Sequence, residues 1–212
     1  MPILCLIANP ADQPADVTVS YLLPDGSQVR HAHTVGPLQR FTIWVDQADP
    51  RLVSTAVSMV VTSSNGVPVV VERSMWWPGD SATWTESHNA PGATETGTAW
   101  AVADGEVSGP PFNRATFLLV ANPGDTSAAV KVTLLFDDGA PVVSRTFAVL
   151  PNSRFGVSVR DEFPEALGKR FGALVESLGV AAAPIVVERA MYGDAGAEVW
   201  AVGTNVLATR LR

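Results

Sequence analysis

The chain has 212 residues, of which 47% are hydrophobic and 17% are charged, so it must bury a real core and is too apolar to be disordered. Its net charge of −7 and lack of a Lys/Arg cluster exclude the usual electrostatics of nucleic-acid binding and of binding to an anionic membrane surface. No apolar run reaches the roughly 18 residues of a membrane-spanning helix, so we predict no membrane insertion.

The N-terminal segment predicts a buried first strand. The lone Cys5 lies in the apolar run ILCLIA, cannot form an intramolecular disulfide, and is expected to be a small core residue. The same segment lacks the charged region and the long apolar region of a signal peptide, so we expect any leader to be removed or absent.

Apolar residues alternate with polar ones in both halves of the chain, which predicts half-buried β-strands. Each alternating run is followed by an Asp-Gly pair, typical of a hairpin turn because glycine accepts a positive φ without steric cost. These pairs end at Gly26 and Gly139. The alternating apolar positions are Val17, Val19, Tyr21 and Leu23, and then Val130, Val132, Leu134 and Phe136.

One stretch has helical spacing. In DEFPEALGKRFGAL, Asp161 is a candidate N-cap, Pro164 falls in the first turn, and Leu167, Phe171 and Leu174 follow at helical intervals. The spacing predicts a helix over 161–174. The matching segment of the first half, DQADPRLVS, is expected to hold one short turn.

The two halves repeat the same phrases about 115 residues apart, a period typical of tandem domains. Asn9-Pro10 recurs as Asn122-Pro123, and PVVVER recurs as PIVVER. Short strands separated by turns, with almost no helix, predict antiparallel β-sandwiches. We therefore predict an all-β fold of two tandem antiparallel β-sandwich domains, immunoglobulin-like and related by internal duplication, at 1–97 and 98–212.

The second half begins with a strand-like segment, TAWAVADGEV, that has no counterpart before Ile3. The first domain is therefore expected to present an unpaired sheet edge, and self-association through exposed strand edges is a predicted interaction. On this basis the chain is expected to be a segment of a longer array.

The repeated ER pair is interpreted as structural. Glu and Arg adjacent in a strand point to opposite faces, so they cannot form a catalytic dyad with each other. Perturbed charged groups also occur in ordinary ion-pair networks. Tryptophans present in both copies are likewise expected to belong to the core. The predicted structural residues are Glu72, Arg73, Glu188, Arg189, Trp84 and Trp200.

Catalytic and metal motifs are missing from the sequence. His31 and His33 share one strand face, but two ligands are too few for a zinc site. Glu86 and His88 are spaced as an acid and a base, yet no nucleophile or second carboxylate accompanies them. We predict no catalytic residues, no metal and no cofactor.

The positions at which the two copies differ are the candidate binding site. Trp44 lies on the polar parity of its strand, and Ser158 takes its place in the second copy. Exposed aromatic rings pack against the C–H faces of sugars, and nearby polar groups bind the hydroxyls. The alternative, which stays open, is that these tryptophans cover the sandwich end or the surface between domains. The candidate ligand-binding residues are Trp44, Trp76, Trp77, Glu86 and His88.

The motifs ANPG, SR, PIVVERAMYG and TAWAVADGE resemble an uncharacterised repeat of large secreted or surface-anchored bacterial proteins, which runs approximately ANPG, SR, PIVxERxMYW, GGH and WYLAEG. The resemblance implies extracellular tandem β-sandwich modules with no assigned activity. The GGH part is replaced here by ESH, ending at His88, and by VGT, ending at Thr204. Any role of that histidine would therefore exist in the first copy only.

Two functions follow as expectations. The first is a noncatalytic extracellular structural or adhesive module, secreted or on the cell surface, because sandwich arrays extend and present surfaces. The second is a carbohydrate-binding module that uses the exposed tryptophans of the first copy, with a polysaccharide or cell-surface glycan as partner.

Overall fold

The computed structural model of the chain describes residues 2–77, 86–195 and 198–212, without the side chains of residues 77, 195 and 198. The chain divides into two compact units, unit 1 from Met1 to Gly92 and unit 2 from Ala93 to Arg212. In the described residues, no helix has the length and apolar character needed to cross a bilayer.

Unit 1 consists of two antiparallel sheets, with strand orders β4-β1-β6-β7 and β3-β2-β5. One short helical segment, α1 (Val45–Ala48), and a 3₁₀ turn (Pro50–Leu52) connect β4 to β5, which is the short turn predicted there. The strands are β1 (Ile3–Asn9), β2 (Ala15–Leu22), β3 (Gln28–Val35), β4 (Gln39–Trp44), β5 (Ser58–Ser63), β6 (Val70–Trp77) and β7 (Glu86–Pro91).

Unit 2 also has two antiparallel sheets, with orders β12-β9-β14-β15 and β11-β10-β13-β8-β16. A short helix, α2 (Val159–Glu162), and a 3₁₀ turn (Pro164–Ala166) precede β13. The strands are β8 (Ala99–Val107), β9 (Arg114–Asn122), β10 (Ala128–Phe136), β11 (Val143–Val149), β12 (Ser153–Ser158), β13 (Lys169–Leu178), β14 (Val186–Ala195), β15 (Glu198–Leu207) and β16 (Thr209–Arg210).

The two sheets of each unit pack face to face, so the predicted all-β antiparallel sandwich fold is confirmed. In unit 1, Cys5 and Ile7 of β1 share one buried cluster with Val17 and Val19 of β2. An equivalent cluster fills unit 2. The described strands of unit 1 divide four and three, as in an immunoglobulin domain, but β1 and β2 lie in opposite sheets. The prediction concerned the general layout and left the strand order open, and the order of β1 and β2 differs from that of an immunoglobulin domain.

The predicted hairpin turns are present. Gly26 and Gly139 have φ values of 83° and 75°, in the region that glycine enters at little cost. The preceding carboxylates brace the turns: Asp25 accepts from the backbone N–H of Ser27 at 2.9 Å, and Asp138 accepts from that of Ala140 at 2.9 Å. The hydroxyl of Ser27, which donates to Asp25 at 2.6 Å, and then the backbone N–H of Ser27 lower the pKa of Asp25, and the N–H of Ala140 lowers that of Asp138.

The buried asparagines Asn9 and Asn122 tie together the loops at one end of each unit. Asn122 donates to the carbonyls of Thr126, Val149 and Leu150 at 2.8, 3.3 and 2.9 Å. Its Oδ1 accepts from the N–H of Gly124 at 3.1 Å. In unit 1, Asn9 makes the corresponding bonds to the carbonyls of Gln13, Val35 and Gly36 and to the N–H of Ala11.

The predicted helix over 161–174 is wrong beyond its first turns. Burial alternates along β13, and its Phe171 pairs with Phe136 of β10. Phe171 and Val175 are both buried, and a spacing of four residues suits a strand as well as a helix. The segment pairs with β10 on one side and β8 on the other, and this tertiary pairing makes it a strand despite its local helical pattern.

Candidate functional site

The outer face of the β4-β1-β6-β7 sheet carries the aromatic pair of unit 1. Trp44 lies opposite Leu4 of β1, and Leu4 lies opposite Ser74, two residues before Trp76 on the same face of β6. The indole rings meet edge to face, with centroids 5.5 Å apart. Trp44 faces outward as predicted and is 43% exposed, but Trp76 is only 6% exposed, so its predicted exposure is wrong.

The five candidate ligand-binding residues do not converge. His88 lies opposite Met75, and Met75 lies opposite Ile3, so His88 is on the inner side of the sheet. Glu86 is two residues away on that same side. The two described tryptophans and the two polar residues therefore lie on opposite faces. Trp77 pairs with Glu86 in the backbone register, but its side chain lies outside the described residues.

His88 is a neutral histidine near the edge of the core. Burial, and then the positive charge of Arg73, lowers its pKa from 6.5 to about 4. Desolvation and a neighbouring cation both oppose the imidazolium form. At neutral pH His88 is therefore uncharged, and it is not a cationic partner for Glu86.

We expect unit 1 to lose stability as the pH falls from 6.5 to about 4. In that window the unfolded chain binds a proton at position 88 that the folded unit does not, so protonation favours unfolding. Urea titrations at a series of pH values test this, and His88→Gln should flatten the slope. His31→Gln, which removes a histidine from β3, is the matched control and should leave the slope at position 88 in place.

Unit 2 has a different aromatic cluster on the corresponding face. Tyr192 of β14 stacks on Trp200 of β15 with centroids 4.9 Å apart, and it contacts Phe117 edge to face at 6.0 Å. Trp200 is 38% exposed, so its predicted place in the core is wrong. Its backbone has a φ of 55°, and its N–H donates to Asp194 at 2.9 Å. Trp84, its presumed counterpart, lies outside the described residues.

Sequence reasoning missed this cluster because it depends on a register irregularity. The pairing of β14 with β15 is irregular between Gly193 and Ala195, and Trp200 lies across from this irregular segment with a φ of 55°, so alternation along β15 does not assign its face. Alternation along β14 already indicates that Tyr192 lies on the face opposite Arg189. The sequence pattern could therefore place Tyr192 on this face, but not Trp200.

The Arg of the repeated ER pair lies inside unit 2. Arg189 is 6% exposed, and its guanidinium is 3.6 Å from the carboxylate of Asp104 on β8. Burial lowers the pKa of Arg189 and the charge of Asp104 partly opposes that shift. In unit 1, Arg73 lies opposite Cys5 on the inner face, whereas Glu72 lies opposite Leu6 on the outer face. Glu188 likewise lies on the face opposite Arg189, as the alternation requires.

The histidines of β3 pack among aromatic rings. His33 lies 5.0 Å from the ring of Phe41 and 6.4 Å from that of His31, measured between centroids. Burial lowers the pKa of His33. Within residues 2–77, 86–195 and 198–212, no cluster of three or more His, Cys, Asp or Glu side chains is arranged to hold a metal ion.

No protein-family model and no curated protein matches the chain. Among solved structures, it is similar to Thermotoga maritima 1070, at 18% identity and a TM-score of 0.45 over 55% of this chain and 96% of that one. It is also similar to the Anabaena sensory rhodopsin transducer, at 24% identity and a TM-score of 0.38 over 46% and 91% of the two chains. A Bacteroides uniformis beta-glucuronidase matches at 12% identity and a TM-score of 0.22, over 98% of this chain and 24% of that one. At these values the similarities assign neither a family nor a function.

Proposed function

We propose that the chain is a noncatalytic structural or adhesive β-sandwich module of a secreted or surface protein, with the two units as copies of one ancestral unit. The observation that carries the proposal is the use of the repeated residues. Asn9 and Asn122 each close the same loops with the same set of four hydrogen bonds. The turn acids Asp25 and Asp138 brace hairpins, and the buried guanidinium of Arg189 lies 3.6 Å from the exposed carboxylate of Asp104. Residues conserved between the copies therefore act on the fold.

A second candidate function is glycan binding on the outer face of unit 1. The supporting observation is that the exposed ring of Trp44 packs edge to face against the buried ring of Trp76. A rigid, half-exposed aromatic ring gives a sugar apolar contact at little entropic cost. Because Glu86 and His88 lie on the inner side, their predicted role as polar partners of the same sugar is dropped from this proposal. The outer-face neighbours Ser87 and Asn89 of β7 replace them.

Scanning calorimetry with a panel of soluble polysaccharides distinguishes the two functions. A structural module unfolds at the same temperature with or without glycan. A glycan bound at Trp44 raises the unfolding temperature of unit 1 by roughly 10–20 °C at a hundredfold excess over its Kd. Trp44→Ala should then abolish the shift.

Two further variants localise any glycan effect. Phe112→Ala removes an exposed aromatic ring outside both clusters and is the matched control, which should keep the full shift. Trp200→Ala tests the cluster of unit 2. A saturable shift that survives Trp44→Ala and disappears with Trp200→Ala would move the glycan site to unit 2 and contradict the site proposed in unit 1.

A further inference from the structure

The free edge of β5 in unit 1 has a matching edge in unit 2 that is closed. In unit 2, β13 pairs with β10 on one side and with β8 on the other. Among the strands in the described part of the chain, β5 pairs with β2 alone. The two strands match in register, because Val61 lies opposite Val19 in unit 1 and Val175 lies opposite Val132 in unit 2.

Side chains next to this edge are fully covered in unit 2 and half covered in unit 1. Ala173 and Val175 on the inner face of β13 are buried. The side chains at the same positions of β5, Met59 and Val61, are half-buried and pack on the margin of the core of unit 1. Half-buried apolar side chains beside an open strand edge are suited to the addition of a strand.

In unit 2, β8 provides the apolar cover. Val102 lies opposite Ala173, and Trp100 lies opposite Val175. The indole N–H of Trp100 donates to the carbonyl of Ile185 at 3.0 Å, so the added strand also binds the facing sheet.

The same strand also provides a negative charge. Asp104 of β8 forms the ion pair with Arg189, which lies opposite Leu118 of β9. Arg73 has the corresponding place in unit 1, opposite Cys5 of β1. Its positive charge contributes to the lowered pKa of His88. A carboxylate on a strand added to β5 would therefore meet a half-buried cation.

We propose that unit 1 binds an extended segment with the pattern of β8, which adds antiparallel to the free edge of β5. Its alternate apolar side chains cover Met59 and Val61, and its carboxylate lies near Arg73. A second copy of β5 fits less well, because the sequence SMVVTS carries no acidic residue. This inference concerns a different surface from the outer-face tryptophans and does not depend on glycan binding.

The test uses the full chain and a fluorescent synthetic peptide of residues 98–108, TAWAVADGEVS. We expect saturable binding by fluorescence anisotropy. A peptide with Asp104→Lys should bind at least about tenfold more weakly, because it puts a cation next to Arg73. A peptide with Val102→Pro should lose binding, since proline removes a ladder donor. These changes are in the peptide, so the folded protein is the same in every arm.

A disulfide identifies the site. Directly opposed residues of antiparallel strands lie within the Cα separations that a disulfide requires. We expect Met59→Cys in the protein to cross-link to the peptide carrying Val102→Cys. Val142→Cys, an exposed position in unit 2, is the matched control and should give background only. The native Cys5 is buried and does not compete.

Three outcomes would overturn the proposal. The peptide could fail to bind at all. Cross-linking could occur at Ala173→Cys and not at Met59→Cys, which would mean that the peptide exchanges with β8 in unit 2. The chain could form a concentration-dependent dimer cross-linked through Met59→Cys, with no peptide binding, which would make a second copy the occupant of the edge.

Discussion

Asn122→Ala is expected to lower the free energy of unfolding of unit 2 by about 2–4 kcal/mol. The asparagine is fully buried, and its amide reaches the carbonyls of Thr126, Val149 and Leu150. Alanine removes the side-chain donor of these carbonyls and the acceptor of the Gly124 N–H, while the carbonyl of Leu150 keeps the hydroxyl of Ser153 as a donor at 2.8 Å. Each such loss costs on the order of 1 kcal/mol, and more where the group remains shielded from water. Urea denaturation followed by circular dichroism measures the change.

Asn9→Ala is the paired experiment in unit 1, where the same set of bonds is present. We expect a loss of similar size there. Asn122→Asp should cost at least as much as alanine at neutral pH, because it replaces two donors by a charge that faces carbonyl oxygens. If both alanine variants lower the free energy of unfolding by less than about 0.5 kcal/mol, the hydrogen bonds of these asparagines do not stabilise the two units.

Trp100→Ala is expected to cost unit 2 about 3–5 kcal/mol, the range for removing a large buried aromatic residue. Trp100 is 2% exposed, and its indole N–H donates to the carbonyls of Ile185 and Gly97 at 3.0 and 3.3 Å. The substitution opens a cavity and removes both indole hydrogen bonds, while the two carbonyls keep the backbone N–H groups of Gly97 and Ile185 as donors. Because β16 pairs with β8 at Trp100, and the N–H of Leu211 next to it donates to the carbonyl of Ala99 at 2.8 Å, hydrogen exchange should also speed up at Leu211.

Two controls separate the causes. Trp100→Phe keeps most of the volume and loses the hydrogen bonds, so we expect a smaller loss of about 1–2 kcal/mol. Trp200→Ala removes the same side chain from an exposed position and should cost about 1 kcal/mol or less. Equal losses at positions 100 and 200 would contradict the difference in burial on which the prediction rests.

The strand pattern was predictable because it is local. Alternation of apolar residues along β2 and β10 indicates one buried face, and the Asp-Gly pairs mark the turns that end them. Cys5 could be placed in the core, and Trp44 outside it, by the same period of two. The helix predicted over 161–174 was wrong in its second part, because a spacing of four residues between apolar positions fits both a helix and a strand. Pairing with β10 and β8 makes this segment a strand.

The candidate site could be predicted only in part. Parity within β4 places Trp44 outward, but the burial of Trp76 depends on Trp44 packing across β1 from another strand. The separation of His88 from these rings follows from its pairing with Met75, which no local pattern encodes. Trp200 lies across from the irregular part of the β14–β15 pairing and has a φ of 55°, so alternation along the strand does not give its position.

By itself, the sequence of this protein determined the strands, the turns and which side chains alternate between faces, because backbone geometry assigns these within a few residues. Tertiary structure alone decided which strands pair, and in which register. It thereby split the predicted ligand-binding residues between two faces, buried Arg189 within reach of Asp104, and, among the described strands, left β5 of unit 1 with one neighbour where β13 of unit 2 has two. The reason is physical: contacts between residues distant in sequence depend on the packing of whole sheets, which no short stretch of chain specifies.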